Sequence, residues 1–315
     1  MPALNSKTTE EIALGIRRRV FLHTMRHNGG YLSQACSAAE SLAILYNEFL
    51  NLGAPTLPGI PLPFRGVPSA TNPDAFTGAG YHGPFAPDYD RFIISPAHYA
   101  LVIYSALIEI GRMDENALDH FNKDGSSVEM IGAEHSPGME VTTGSLAQGL
   151  SMAAGIAWAR ARRTEPGKVW VYMSDGEFQE GQTWETLAAI SHHGIDNLRI
   201  VVDVNRQQCD GAMSSVLDLG DLPARVESFG VPVRSIDGHD LDAFRKAVAS
   251  AESGKSLMIL ANTSPFQGMD FLKRRFPRLH YVRFKSRDER AEMLKAIAGE
   301  LGLDPVEIER NAAHG

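Results

Sequence analysis

The sequence predicts an α/β protein: a doubly wound, mostly parallel sheet with helices on both faces. Two observations carry this. Short, continuous apolar runs alternate with amphipathic stretches, the pattern of strands buried on both sides and separated by helices. Two of those runs, 169–173 and 200–204, are followed at once by polar residues that can hold a ligand, as strand ends facing a cleft are. With 315 residues, 43% of them apolar, the chain can bury a large core, and it reads as a single domain over 1–315. There is no internal repeat and no low-complexity segment.

The elements follow in order. Ser6 and Thr8 can cap a first helix carrying Ile12, Ile16 and Val20 at four-residue spacing, ended by Gly29-Gly30. Ser37-Ala38-Ala39-Glu40 reads as a capping box before Leu42, Leu45 and Phe49. Residues 53–88 hold eight of the seventeen prolines and six glycines, without periodicity. A loop this long is uncommon in a compact domain; it reads as a surface excursion or as a loop that lines a site or covers a partner. A strand at 92–94 precedes a helix over 96–110, and a long helix follows Gly144-Ser145 to about 163. Strand 169–173, helix 180–193 and strand 199–204 come next. Strands near 231–236 and 256–261 flank a helix over 240–253. The last stretch, about 285–315, is a C-terminal helical extension of one or two amphipathic helices.

Composition narrows the function. The net charge is −8 and the densest basic run, Lys273-Arg274-Arg275, is short, which disfavours nucleic acid as a partner. Two cysteines, Cys36 and Cys209, give no disulfide framework and suit a reduced, cytoplasmic setting. No signal core or bilayer-length apolar run occurs, so no membrane role is expected.

The chemistry sits at the strand ends. After 169–173 come Ser174-Asp175-Gly176-Glu177, and after 200–204 come Asn205-Arg206-Gln207. Magnesium takes a few hard oxygens from protein and leaves its other positions to phosphate and water. Asp175 and the Asn205 amide oxygen would be two such ligands, with the backbone carbonyl of Gln207 a third. Gly176 would let the backbone approach a phosphate at a helix start. The pattern therefore proposes a diphosphate cofactor held through a metal. No Gly-x-Gly-x-x-Gly follows a strand, and Gly144 to Gly149 lacks the Lys-Ser/Thr of a P-loop.

These residues resemble the thiamine-diphosphate-binding half of transketolases, which carry Gly-Asp-Gly, then Asn about thirty residues on, then Asp-Gly. Here Ser174 replaces the first glycine, and Asp210-Gly211 supplies the last pair. Glu180-Gly181, the run from Asp90 to His98 and the run from Pro137 to Gly149 are similar to further motifs of that family, in order. The resemblance implies the thiamine-diphosphate-binding fold, in its diphosphate domain. It implies that His98 contacts the diphosphate and that Gly144, Ser145 and Leu146 lie along the cofactor. Glu177, in the same turn as Asp175, joins the cofactor-binding candidates. Glu180 would sit near a contact between subunits, and His280 would match a late active-site histidine.

The chain departs from the pattern at the donor site. Where transketolases carry Ser-Gly-His-Pro-Gly, it has His27-Asn28-Gly29-Gly30-Tyr31. Tyr31 replaces a histidine, and a phenol is no proton shuttle near neutrality. His27 either compensates or only meets its helix dipole. His135 is displaced from the family's Gly-His-Pro; it either reaches the same space or is a loop residue. His135, His27, Tyr31 and His280 are thus the catalytic candidates.

The family's glutamate that activates the cofactor lies in a pyrimidine-binding domain for which this sequence has no counterpart. The expectation is the N-terminal subunit of a split, heterotetrameric (α2β2) transketolase using thiamine diphosphate and Mg2+. It would transfer a two-carbon ketol unit between sugars that are phosphorylated or otherwise anionic, with a C-terminal transketolase-like partner. The alternatives are an acyloin-forming or 2-oxo-acid-decarboxylating relative, and a non-catalytic cofactor-binding scaffold.

Overall fold

The computed structural model describes residues 6–67, 69–306 and 308. In chain order it contains α1 (Thr9–His27), α2 (Leu32–Ile44), β1 (Arg91–Ile94), α3 (Ala100–Glu109), α4 (Gln148–Arg162), β2 (Val169–Ser174) and α5 (Gly181–His192). Then come β3 (Leu198–Val204), β4 (Gln207–Gln208), β5 (Gly211–Ala212), α6 (Met213–Val216), α7 (Leu222–Glu227), β6 (Val233–Asp237), α8 (Leu241–Ala249), β7 (Leu257–Asn262) and α9 (Arg287–Glu300).

Five strands form one wholly parallel sheet in the order β1-β2-β3-β7-β6; β4 and β5 make a small separate hairpin. Strand side chains alternate between faces, and both faces are covered. Along β2, Val169, Val171 and Met173 enter a core built with α4, α5 and α7, whereas Trp170 and Tyr172 enter one built with α1, α2, α3, α8 and α9. Burial on both sides explains why the strands read as unbroken apolar runs.

Several local expectations need correction. Helix α1 is capped by Thr8 and Glu11 but ended by Asn28 in the left-handed region, φ 53°, not by the glycines. Gly29 and Gly30 serve close approach instead: a Cβ would lie 2.5 Å from the Tyr281 hydroxyl oxygen at the first and 2.0 Å from Thr24 Oγ1 at the second. Ser37 and Glu40 do not open a helix. They lie inside α2, where Ser37 Oγ donates to Asp203 at 2.6 Å and Glu40 pairs with Arg17 and His239. Residue types that cap helices in water also serve as buried partners when another element supplies the complement. Helix α4 begins only at Gln148, after a non-helical turn through residues 144–147.

The proline-rich stretch is pinned to the body. The Arg112 guanidinium donates to the carbonyls of Gly53 and Tyr81 at 2.9 and 2.7 Å, and Tyr81 Oη donates to Pro58 O at 3.0 Å. At the other terminus α9 packs Met293, Leu294 and Ile297 into the α1 side of the core. The remainder of the expected C-terminal extension, 307 and 309–315, lies outside the described residues.

Candidate cofactor site

Register places the chemistry. Ser174 of β2 stands beside Asp203 of β3, so Asp175 and Asn205 emerge together past the carboxyl ends of neighbouring strands. Asp175 is 1% exposed. Its Oδ2 accepts the Arg206 N–H at 2.6 Å, while Oδ1 is buried without a hydrogen-bond partner. Burial first, and the Asp203 charge second, push its carboxyl up to about 8. An orphaned carboxylate oxygen in this setting is costly unless a cation or donor meets it. Arg206 reaches Asp175 by taking a left-handed backbone, φ 57°, a conformation costly for a residue with a Cβ.

Behind Asn205 is a strand-end residue that the sequence reading did not give a role of its own. Asp203 is fully buried and accepts from Ser37 Oγ, Tyr99 Oη (2.7 Å), Asn205 Nδ2 (2.9 Å) and Thr263 Oγ1. Asn205 Nδ2 also donates to Tyr99 Oη at 3.0 Å, and its Oδ1 accepts the Gln207 N–H at 2.8 Å. The amide is thereby held in one orientation. The clue in the sequence was an acidic residue inside an otherwise apolar strand, which must be satisfied by its neighbours.

Glu177 is also fully buried, but it does not line the cavity. It accepts from Ser95 Oγ and from the Ala147 and Ser174 N–H groups, at 2.9 and 2.8 Å for the latter two. It ties the ends of β1 and β2 to the entry of α4. Ala147, at that entry, sits at φ 67°.

A cavity of about 310 Å³ opens over these strand ends. His98, Gly144, Leu146, Gly176, Asn205, Gln207 and His280 line it, along with Glu180. A Cβ on Gly144 would meet nothing within 4 Å, and one on Gly176 only Gln208 Nε2, at 3.6 Å. Both backbones are open to a ligand. Burial, then His280, holds the His98 imidazole down to about 3, so it is a neutral hydrogen-bonding group. Burial likewise lowers His280. Tyr31 sits against both, with ring centroids 5.8 Å from His98 and 5.5 Å from His280. Burial, Tyr281 and Cys209 raise its phenol, which keeps its proton.

Asp175, Glu177 and Tyr31 stand against the lining without being part of it, and three further candidates lie outside it. Ser145 occupies the exposed turn beside it. His27 packs against His23 at the end of α1, the rings tilted and 4.4 Å apart between centroids. His135 packs on Phe64 at 4.4 Å, with Nε2 3.1 Å from Glu129 Oε2 but outside hydrogen-bonding angles. Its loop is held near His98 by the Gly132 N–H donating to Ala97 O at 3.0 Å.

Residues 58–268 match the pattern of the transketolase thiamine diphosphate binding domain. The chain belongs to the transketolase family. A transketolase family protein of Sinorhizobium fredii is 33% identical over 89% of this chain and 93% of its own length. An apulose-4-phosphate transketolase subunit of Actinobacillus succinogenes is 29% identical over 86% of this chain and 90% of its own. In structure, the chain is similar to transketolase from Campylobacter jejuni, with TM-score 0.72 at 23% identity. That alignment covers 93% of this chain and 43% of the other, so the chain spans less than half the length of that transketolase. The chain therefore carries the family's thiamine diphosphate binding domain on an α/β fold. No described helix is long and apolar enough to cross a membrane.

Proposed function

We propose that this transketolase-family chain is the N-terminal subunit of a two-subunit enzyme that transfers a two-carbon ketol unit from a ketose to an aldose, using thiamine diphosphate and Mg2+. One juxtaposition carries the reading: the orphaned Asp175 oxygen, the open Gly176 backbone and the fixed Asn205 amide at adjoining strand ends. Among the described residues no three His, Cys, Asp or Glu side chains gather as a metal site. One carboxylate, one amide oxygen and the Gln207 carbonyl leave the remaining positions for diphosphate oxygens, which suits Mg2+.

The chemistry supplied by the cofactor is a nucleophilic carbon that can add to a ketose carbonyl. The chain's own residues bind and orient. Asp175, Asn205 and Gln207 would hold the metal, Gly176 would admit the diphosphate, and neutral His98 would offer it a hydrogen bond. The backbone of Gly144 and Leu146 supports the aminopyrimidine. Tyr31 and His280 face the sugar. The glutamate that activates the cofactor comes from a pyrimidine-binding partner chain.

The partner is supported by a relative that is itself named as one subunit of a transketolase, nine-tenths of whose length aligns, and by the surface of α4 and α5. A groove of about 480 Å³ between these helices is lined by Ala154, Trp158, Ala189 and Ile195. The Trp158 side is exposed, which fits a protein contact. Twofold symmetry would give α2β2. The placement of Tyr31 at the rim and His135 outside the lining favours a second reading, acyloin formation or 2-oxo-acid decarboxylation.

The test is copurification followed by a screen of ketose donors, aldehyde acceptors and 2-oxo acids. Ketol transfer requiring both chains, thiamine diphosphate and Mg2+ is expected. Full activity from this chain alone, or carbon dioxide release without ketol transfer, would contradict the proposal.

A further inference from the structure

The segment after β7 returns to the rim of the cavity. Residues 279–284 run against 28–34: Gly30 and Val282 exchange backbone hydrogen bonds at 3.1 and 2.9 Å, and Ser33 Oγ donates to Leu279 O at 3.0 Å. Phe284 N–H donates to Asn28 Oδ1 at 3.2 Å. Leu279, Val282 and Phe284 are buried, which fixes the segment and leaves Tyr281 and Arg283 at the surface side.

A row of rings then leads outward. Tyr31, beside the cavity-lining His98 and His280, meets Tyr281 edge-on at 4.9 Å. Tyr281 fits there because Gly29 has no Cβ. The Arg283 guanidinium lies over the Tyr281 ring, 5.4 Å from its centroid, a cation–π seat that orders the side chain. Of the neighbouring basic groups, Lys273 is spent on Asp270, Arg274 on Glu292, Arg275 on Glu289, and Arg290 on the Met25 carbonyl; Arg278, Lys285 and Arg287 are exposed as Arg283 is, but among the described residues none of the three is seated over a ring. Arg283 has no carboxylate partner among the described residues, and neither the Tyr31 nor the Tyr281 hydroxyl is hydrogen-bonded there.

We propose that Arg283, seated on Tyr281, recognises the terminal oxyanion, phosphate or sulfonate, of a sugar whose polar chain passes the Tyr31 and Tyr281 hydroxyls. The inference rests on the reading that the sugar enters this cavity. A guanidinium presents a planar fork that can pair two oxyanion oxygens at once, which a lysine cannot. Arg283 is thus a specificity-determining residue, remote from the reacting atoms.

The test uses the full chain with its copurifying partner, loaded with thiamine diphosphate and Mg2+. Calorimetric affinity, KM and kcat are measured for a ketose phosphate, a ketose sulfonate and an uncharged ketose of equal length. Arg283→Gln should weaken affinity and raise KM at least tenfold for whichever charged sugar is native, without moving kcat or the values for the uncharged ketose. Arg283→Lys should recover part of the loss. An equal loss for charged and uncharged sugars, or no change, would overturn the site. Should the wild type turn over no sugar yet bind the oxyanion through Arg283, ketol transfer would fall and the anion site would stand. Wild-type binding without preference for charge would remove the anion site, whatever the turnover.

Discussion

At the scale of single residues, the site divides into side chains that face the cavity and side chains that hold them. Asp175 and Asn205 were legible in sequence because strand-end chemistry is local: an apolar run followed by a hard oxygen ligand. Asp203 was not legible as a site residue, because its four donors come from α2, the turn before α3, the end of β3 and the turn after β7. Asp203→Asn turns part of that acceptor into a donor aimed at donors. It should lower stability by about 1–3 kcal/mol and weaken Mg2+-dependent cofactor binding as Asn205 loosens. Thermal denaturation and Mg2+ titration check this; unchanged values in both would make Asp203 a bystander. His135 is the opposite case. Its displaced position left two readings, a residue reaching the donor space or a loop residue; in the fold its ring packs on Phe64 of the proline-rich stretch, a long-range pairing that no local pattern encodes.

His23 carries a pH prediction at the same scale. Burial, then His27 and Arg26, lowers it from 6.5 to about 3. The unfolded chain therefore binds a proton that the folded chain refuses. Stability is full above pH 6.5 and falls as pH drops from there toward 3. His98 shifts the same way. His23→Phe keeps a ring beside Phe121 and should flatten, without abolishing, the fall of Tm with acid; an unaltered slope would contradict it.

At the scale of elements, the strands and most helices were readable because both their faces or one stripe are apolar, and periodicity records that directly. Their beginnings were less readable. The capping-type residues of α2 turned out to be buried partners, and α4 starts from Ala147, whose left-handed backbone nothing in its side chain announces. Left-handed backbone costs a residue with a Cβ about 1–2 kcal/mol. Glycine's greater freedom in the unfolded chain offsets about 0.4–1 kcal/mol of that. Ala147→Gly should therefore raise Tm slightly while preserving the Glu177 contact to the backbone. A lower Tm would mean that the strain is already relieved elsewhere.

At the scale of the whole molecule, the two-sided sheet places one cavity at its carboxyl edge and leaves grooves along α4. One of these, of about 590 Å³, sets Met152, Ile156 and Ala159 against Arg91, Arg160, Arg163 and Glu165. The sheet, the cavity and the family were within reach of the sequence, since several motifs of the family occur in order along the chain. The row from Tyr31 to Arg283 was not, because it depends on residues 279–284 returning to pair with 28–34 across the whole chain. The central claim is that the strand-end cleft holds thiamine diphosphate through a metal on Asp175. Its most direct test is the Tm of the assembled protein with thiamine diphosphate and Mg2+ together, compared between wild type and Asp175→Ala. A ligand at a hundredfold excess over its Kd stabilises the native state by about 2.7 kcal/mol. The wild type should show that rise and lose it when Mg2+ is chelated, and Asp175→Ala should fold but show almost none. An equal rise in Asp175→Ala would contradict the assignment.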